Sequence, residues 1–273
     1  MQIRIFCLPI FTDMLFQFIA DYLKHRLTAK SRHGTHSPFV YKLVDEVIYD
    51  FSVKKVYEDI EKQRKKLLND DSVLTITDLG AGSQLNKNKQ KSVREVAKNA
   101  LKTPRLAQLI YRLAKNHPAK KLIELGTCLG TTSAYLAKAN PAATIITIEG
   151  CPETANVAYQ NFVALELTNI ELQVGNFNEL FPKEVENTDL LDFVYIDGNH
   201  TKEATLNYFN LCLPKIHEGT LLIFDDIYWS EGMKEAWEEI KAHPQVTVTV
   251  DLFWIGLVYF KQDQVKEHFK IKF

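Results

Sequence analysis

The sequence has almost no net charge, few cysteines and no long uninterrupted apolar run. Each shortage excludes something. Lys and Arg number 33 against 34 Asp and Glu, a formal charge of −1, so no strong global field draws in nucleic acid. The local basic runs Lys62–Lys66 and Lys87–Lys91 alternate with polar residues and read as solvated faces or loops. The 4 cysteines, Cys7, Cys128, Cys151 and Cys212, lack metal-ligand spacing. They suggest no disulfide framework, and a reducing, cytoplasmic compartment is the simpler expectation. The apolar stretch Ile3–Ile19 is interrupted by Pro9 and Asp13. It is short for a stable membrane span, and no small-residue cleavage site follows it. An amphipathic helix packed on the protein is expected there, with weak association with a membrane surface left open. No internal repeat or low-complexity tract occurs.

What is present is an apolar share of 46% over 273 residues, enough for one large α/β domain with an added segment. The pattern changes near Pro118. Before it the periodicity is helical, over Met14–Leu27, Pro38–Tyr49, Val53–Leu68 and Ser92–Lys115. After it, short β-rich runs alternate with helices: Lys121–Leu125, Thr144–Glu149, Ile170–Val174, Leu191–Asp197 and Thr220–Phe224. Runs that are apolar on both faces mark a parallel sheet covered on both sides. Val246–Asp251 and Trp254–Phe260 are separated by too little chain for a parallel crossover and should pair antiparallel. The expected division is a mainly helical segment, 1–117, and an α/β domain, 118–273.

The strand Lys121–Leu125 runs into Gly126-Thr127-Cys128-Leu129-Gly130 and then a helical stretch. Gly126 permits a sharp turn, Gly130 permits close helix packing, and Thr131, Thr132 and Ser133 offer donors at a helix start. The next strand ends in Glu149, about twenty residues on, where an acid accepts ribose hydroxyls. The pattern E-x-G-x-x-x-G differs from the dinucleotide G-x-G-x-x-G. An acid at Glu124, before the turn, disfavours a pyrophosphate and suits a cofactor bearing a cation. Ile76–Ser83 also reads as strand and glycine turn, but no β run ending in an acid follows it. It is taken as a structural turn or a loop near the substrate.

Glu124–Ala137 resembles motif I of class I S-adenosylmethionine-dependent methyltransferases, and the terminal hairpin is similar to that fold's ending. The resemblance covers about 155 residues, a domain-sized piece from Lys120 onward. It implies a Rossmann-like α/β fold: a mostly parallel seven-stranded sheet with a C-terminal antiparallel hairpin, preceded by the helical segment. It also implies S-adenosylmethionine as cofactor. Glu124, Gly126, Thr127, Gly130 and Thr132 would wrap its methionine part, Glu149 and Gly150 its ribose, and Asn176 and Phe177 its adenine, with Asp197 close by.

Two further segments should reach the same sheet edge: Phe193–Ala204 and Leu221–Trp237. Asp197, Asp225 and Asp226 would then converge, and carboxylates facing one crevice repel unless a cation or a proton intervenes. Hard oxygen ligands favour magnesium, manganese or calcium. Helix capping by Asp197 and a turn at Asp225–Asp226 are the plainer alternative. The segments resemble metal-dependent O-methyltransferases typified by the catechol and caffeoyl-CoA enzymes. They resemble more closely the related group with an Asp-Gly-Asp-His motif after strand four, which includes macrolide-sugar methyltransferases. By that resemblance Asp197, Asp225 and Asp226 hold a divalent cation. The chain departs in having Asp226 where the first group has Asn, and Asn199 where the second has Asp. His200 stands where the catechol enzymes have a catalytic Lys, and it would take the proton of an acceptor hydroxyl, with Asp197 beside it.

The expected activity is O-methylation of a small hydroxylated acceptor, with no nucleic-acid partner; a homodimer is compatible with it. The alternatives are methyl transfer to a macromolecule and a non-catalytic S-adenosylmethionine-binding protein. Asp-Gly-Asn-His in place of an Asn-Pro-Pro-Tyr type motif argues against base or amide methylation. Ser31–Tyr41 carries His33 and His36 around Gly34, too loosely spaced for a metal site. It reads as a loop capped by Thr35 or Ser37 before a helix begun by Pro38; a substrate lid is the sharper alternative.

Overall fold

A computed structural model describes residues 9–34, 36–77, 90–262 and 264–273, the side chains of 9–14 and of His33 excepted. The helical segment contributes α1 (Pro9–Thr28), α2 (Pro38–Leu43) continued by a π-helical turn (Val44–Ile48), and α3 (Lys55–Leu67). A small antiparallel ladder of β1 (Val73–Thr75) and β2 (Gln90–Ser92) follows, then α4 (Val93–Ala100) and α5 (Pro104–Lys115). The single helix expected over Ser92–Lys115 is thus two. Pro104 takes the first helical position of α5 and Thr103 Oγ1 caps it, accepting from Leu106 N, so the chain at 101–103 leaves helical geometry. A proline biases the residue before it away from the α region, and its missing N–H costs nothing at a helix start. Ser37 caps α2, as the loop reading allowed. The rival glycine turn, Ile76–Ser83, lies outside the described residues except for Ile76 and Thr77.

The α/β part runs β3 (Lys121–Leu125), α6 (Thr131–Ala139), β4 (Thr144–Glu149), α7 (Pro152–Ala164), β5 (Ile170–Val174), α8 (Phe177–Glu186), β6 (Phe193–Ile196), α9 (Lys202–Cys212), β7 (Leu221–Asp225), α10 (Glu231–Ala242), β8 (Val248–Asp251), β9 (Ile255–Tyr259) and β10 (Glu267–Lys270). The strands form one sheet in the order β10-β8-β9-β7-β6-β3-β4-β5. β3 to β7 pair in parallel, and β9 runs antiparallel to both β7 and β8. The terminal hairpin is as expected. The sheet has 8 strands where seven were expected, because Glu267–Lys270 returns to pair with β8. That last strand is only partly buried, and its charged residues hid it from a reading based on apolar runs.

Alternation along the strands builds a core on each face. Leu122, Ile145, Tyr195 and Ile223 face α5, α6 and the N-terminal helices, so residues from both sides of Pro118 share one cluster. Ile123, Ile148, Val194 and Leu222 face the layer made by α8, α9 and α10. The chain builds outward from β3 through β4 to β5, then crosses back to β6 and β7. The order therefore reverses between β3 and β6, where such sheets open a ligand crevice at the strands' C-terminal ends.

Candidate active site

The crevice is set by Gly126. Its N–H donates to Ile148 O at 2.9 Å, and Asp197 N donates to Leu125 O at 2.9 Å. A Cβ on Gly126 would lie 1.9 Å from the Asp197 carbonyl oxygen, and its φ is +97°. Only glycine lets the ends of β3 and β6 approach this closely. Two adjoining cavities open from the reversal point. One, of about 260 Å³, is walled by Glu149, Gly150, Gly175, Asn176, Phe177 and Tyr208, among others. The other, of about 340 Å³, is walled by Lys102, Gly126, Asp197, Gly198, His200 and Asp226, among others. Cys128, Glu149 and Phe177 border both, so they form one cleft from β5 to β7.

Glu149 is held at the middle of the cleft. Its Oε2 accepts from Cys128 N at 2.7 Å and its Oε1 from Cys151 N at 2.9 Å. A carboxylate has about four lone-pair sites, so two remain for hydroxyls. Asn176 accepts from Asn178 N at 2.9 Å and caps α8, and the Phe177 ring packs against Gly198. These residues border the cleft, as do Gly150, Asp197 and His200.

Other expected residues serve the turn and do not line the cleft. Glu124 is fully buried in β3; its Oε2 accepts from Ser133 and, at 2.6 Å, from Thr147 Oγ1. Burial pushes this carboxyl up to about 7, against the two hydroxyl bonds. Thr127 Oγ1 is 2.6 Å from Thr147 Oγ1, and Gly130 packs on Phe162 and Ala158. Thr132 is buried in α6. The motif read as cofactor contact is thus mainly the cement between β3, β4 and α6. Cys128 also borders the cleft, but burial pushes its thiol far up, so no thiolate forms near neutrality.

At the other end the carboxylates do converge, on a residue the sequence reading missed. Lys102 Nζ lies 3.1 Å from Asp197 Oδ1 and within bonding distance of Asp225 Oδ2. The buried Tyr195 hydroxyl lies 3.2 Å from Asp197 Oδ2 and 3.1 Å from Asp225 Oδ1. Lys102 thus serves one oxygen of each carboxylate, and the single Tyr195 O–H donates to one of the other two at a time. Burial works against the Lys102 ammonium, but Asp197, Asp225 and Asp226 raise its pKa well above the usual lysine range. Asp197 is held below the usual carboxylate range: its burial is outweighed by Lys102 and His200. Burial and the neighbouring Asp197 push Asp225 well above that range. His200 Nε2 stands at the mouth, 3.6 Å from Asp197 Oδ1 and 3.8 Å from Asp226 Oδ2. Asn199 and Asp226 hold left-handed φ of 51° and 53°, a strained backbone found mostly at turns and functional sites.

Asp197, His200 and Asp225 each offer a ligand atom within 4.8 Å of the others, a spacing compatible with a cation. A divalent ion held by Asp197 and Asp225 would have to stand about 2.0–2.6 Å from an oxygen of each, with waters completing its shell. Here the Lys102 ammonium already stands between Asp197 and Asp225, where a cation shared by the two would have to sit. As arranged, these side chains do not fit the ion.

Residues 123–227 match the family described as a methyltransferase domain. Those residues form a methyltransferase domain. They span β3 to the residues just after β7 and so contain Gly126, Glu149, Asp197, His200, Asp225 and Asp226. The chain is 27% identical over 179 residues to a catechol O-methyltransferase of Niastella koreensis, covering 63% of this chain and 74% of that protein. It is 32% identical over 114 residues to the O-methyltransferase imqG of Aspergillus flavus, covering 40% of this chain and 45% of the relative. Among solved structures, the S-adenosylhomocysteine-bound methyltransferase PaMTH1 of Podospora anserina superposes with a TM-score of 0.57 at 13% identity, over 84% of this chain and 100% of that one. At that identity the likeness is one of fold, the Rossmann-like methyltransferase fold.

Proposed function

We propose that the chain transfers a methyl group from S-adenosylmethionine to the oxygen of a small hydroxylated acceptor. The observation that carries the reading is His200 Nε2, flanked by Asp197 and Asp226 at the mouth of the cleft whose middle is Glu149. The two relatives named as O-methyltransferases support it. Glu149 would hold the ribose hydroxyls, Gly150 the turn beside them, and Asn176 and Phe177 the adenine. S-adenosylmethionine supplies an electrophilic methyl on a sulfonium. His200 accepts the acceptor hydroxyl's proton as the oxygen takes the methyl, and Asp197 and Asp226 orient the ring and stabilise the imidazolium that forms. The divalent cation that the sequence pattern suggests on Asp197, Asp225 and Asp226 has no part in this mechanism, because Lys102 stands between Asp197 and Asp225.

The test is a panel of hydroxylated acceptors (phenols, sugars, lipid precursors) incubated with S-adenosylmethionine, with S-adenosylhomocysteine as the readout. Release with a small hydroxylated acceptor is expected. Release only with a protein or nucleic acid would favour methylation of a macromolecule. Binding of S-adenosylmethionine without release would leave a binding protein.

A further inference from the structure

Carboxylates that share one crevice repel unless a cation or a proton intervenes. Lys102 supplies such a cation from a distant part of the chain. It stands between α4 and α5, in the break set by Thr103 and Pro104, and its side chain is only 13% exposed. Leu101 N bonds Ala97 O at 3.3 Å and Thr103 caps the next helix, so the backbone on either side is fixed. The ammonium bonds both Asp197 and Asp225, and the Tyr195 hydroxyl lies between their other two oxygens, donating to one of them at a time. An ammonium is a compact point charge with three donors and needs no six-oxygen shell.

We propose that Lys102 stands in for the divalent ion: its ammonium is the resident counter-ion of Asp197 and Asp225, and it positions Asp197 beside His200 without a metal. Lys102 is a positioning residue, acting on His200 through Asp197. The proposal rests on this cluster being the methyl-transfer site. The titration described next reads the cluster itself, so a failure to find an acceptor leaves it decidable.

The experiment titrates manganese into the full-length protein, free of bound metal, by calorimetry and electron paramagnetic resonance. The wild type is expected to show no saturable site below millimolar concentration. Lys102→Met keeps the side-chain length but removes the charge, leaving Asp197, Asp225, Asp226 and His200 around uncompensated space. It should gain a manganese site tighter than any in the wild type by about tenfold or more. Lys102→Arg retains the charge and should gain none. A purely structural role for Lys102 would lower the melting temperature of Lys102→Met without creating a metal site. Saturable manganese binding by the wild type, abolished by Asp197→Asn, overturns the proposal. So does a folded Lys102→Met, checked by circular dichroism, that gains no site. Should Lys102→Met fail to fold, the wild-type titration decides alone. In an active preparation, turnover should be indifferent to EDTA.

Discussion

On the proposed reading, turnover depends most directly on His200. Its Nε2 has two carboxylates within 4 Å and an open side toward the cleft, the surroundings of a group that takes and returns a proton. His200→Ala should cut turnover by about a hundredfold or more, the common scale of general-base catalysis, with S-adenosylmethionine affinity nearly intact. Separate measurement of kcat and cofactor Kd checks this. Equal losses in both would mean that His200 shapes the cofactor site and moves no proton. The three aspartates are not equivalent. Asp225 is 1% exposed and locked between Lys102 and Tyr195, whereas Asp226 is 29% exposed and free to meet a ligand. Of the pair, Asp226 borders the cleft and Asp225 holds the network beneath.

At the scale of elements, α1 is tied to the end of β8 through Asp251. His25 Nε2 lies 3.0 Å from Asp251 Oδ1, Phe253 N donates to the same oxygen at 2.9 Å, and Tyr228 donates to Oδ2 at 2.7 Å. Tyr228 lies in the turn that follows Asp226, so this knot braces the active-site turn as well as the helix. Phe18 and Tyr22 of α1 pack edge-on against Phe253 beside it. Burial pushes Asp251 up, but His25, the Phe253 N–H and Tyr228 outweigh it and hold the carboxyl below its usual range. A depressed pKa means that folding favours the ionised form. The stabilisation is complete above the ordinary carboxylate pKa of about 3.9 and is lost as pH falls through the depressed value. Asp251→Ala should cost about 1–3 kcal/mol at neutral pH, the range for stranding buried partners. Urea unfolding of wild type and variant across pH measures it. The difference should narrow on acidification, and a gap constant to the lowest accessible pH would mean that packing, and not the charge, is what the variant loses.

For the whole molecule, the cleft joins parts that are far apart in the chain: Lys102 from the helical segment, Glu149 from β4, and Asp197 and Asp226 from the ends of β6 and β7. A ligand that touches all of them links their stabilities. S-adenosylmethionine at a hundred times its Kd should stabilise the fold by about 2.7 kcal/mol and raise the melting temperature. Glu149→Ala removes the proposed ribose acceptor and should weaken binding by about 1–3 kcal/mol, shrinking that rise at fixed ligand concentration. Differential scanning calorimetry with and without cofactor distinguishes the cases. An undiminished rise in Glu149→Ala would place the ribose on other residues.

Much of this protein is written locally. The doubly apolar runs of β3, β4, β6 and β7 specify buried parallel strands, because only a sheet covered on both faces hides both sets of side chains. That Gly126, Glu149, Asp197 and His200 border one cleft is legible because they stand at or shortly after strand ends, and strand ends in a parallel sheet share one edge. What depends on long-range pairing was not legible. Whether Glu124 faces cofactor or core was settled by Ser133 and Thr147, which reach it from two other elements. β10 has little apolar signal and exists because β8 presents an edge to pair with. Lys102 looks like any lysine before a helix cap. It became part of the site only when the break between α4 and α5 was folded against carboxylates 95 and 123 residues further along the chain. A charge pair at that separation leaves no periodicity and no spacing; it exists only where the tertiary structure buries the ammonium against the carboxylates.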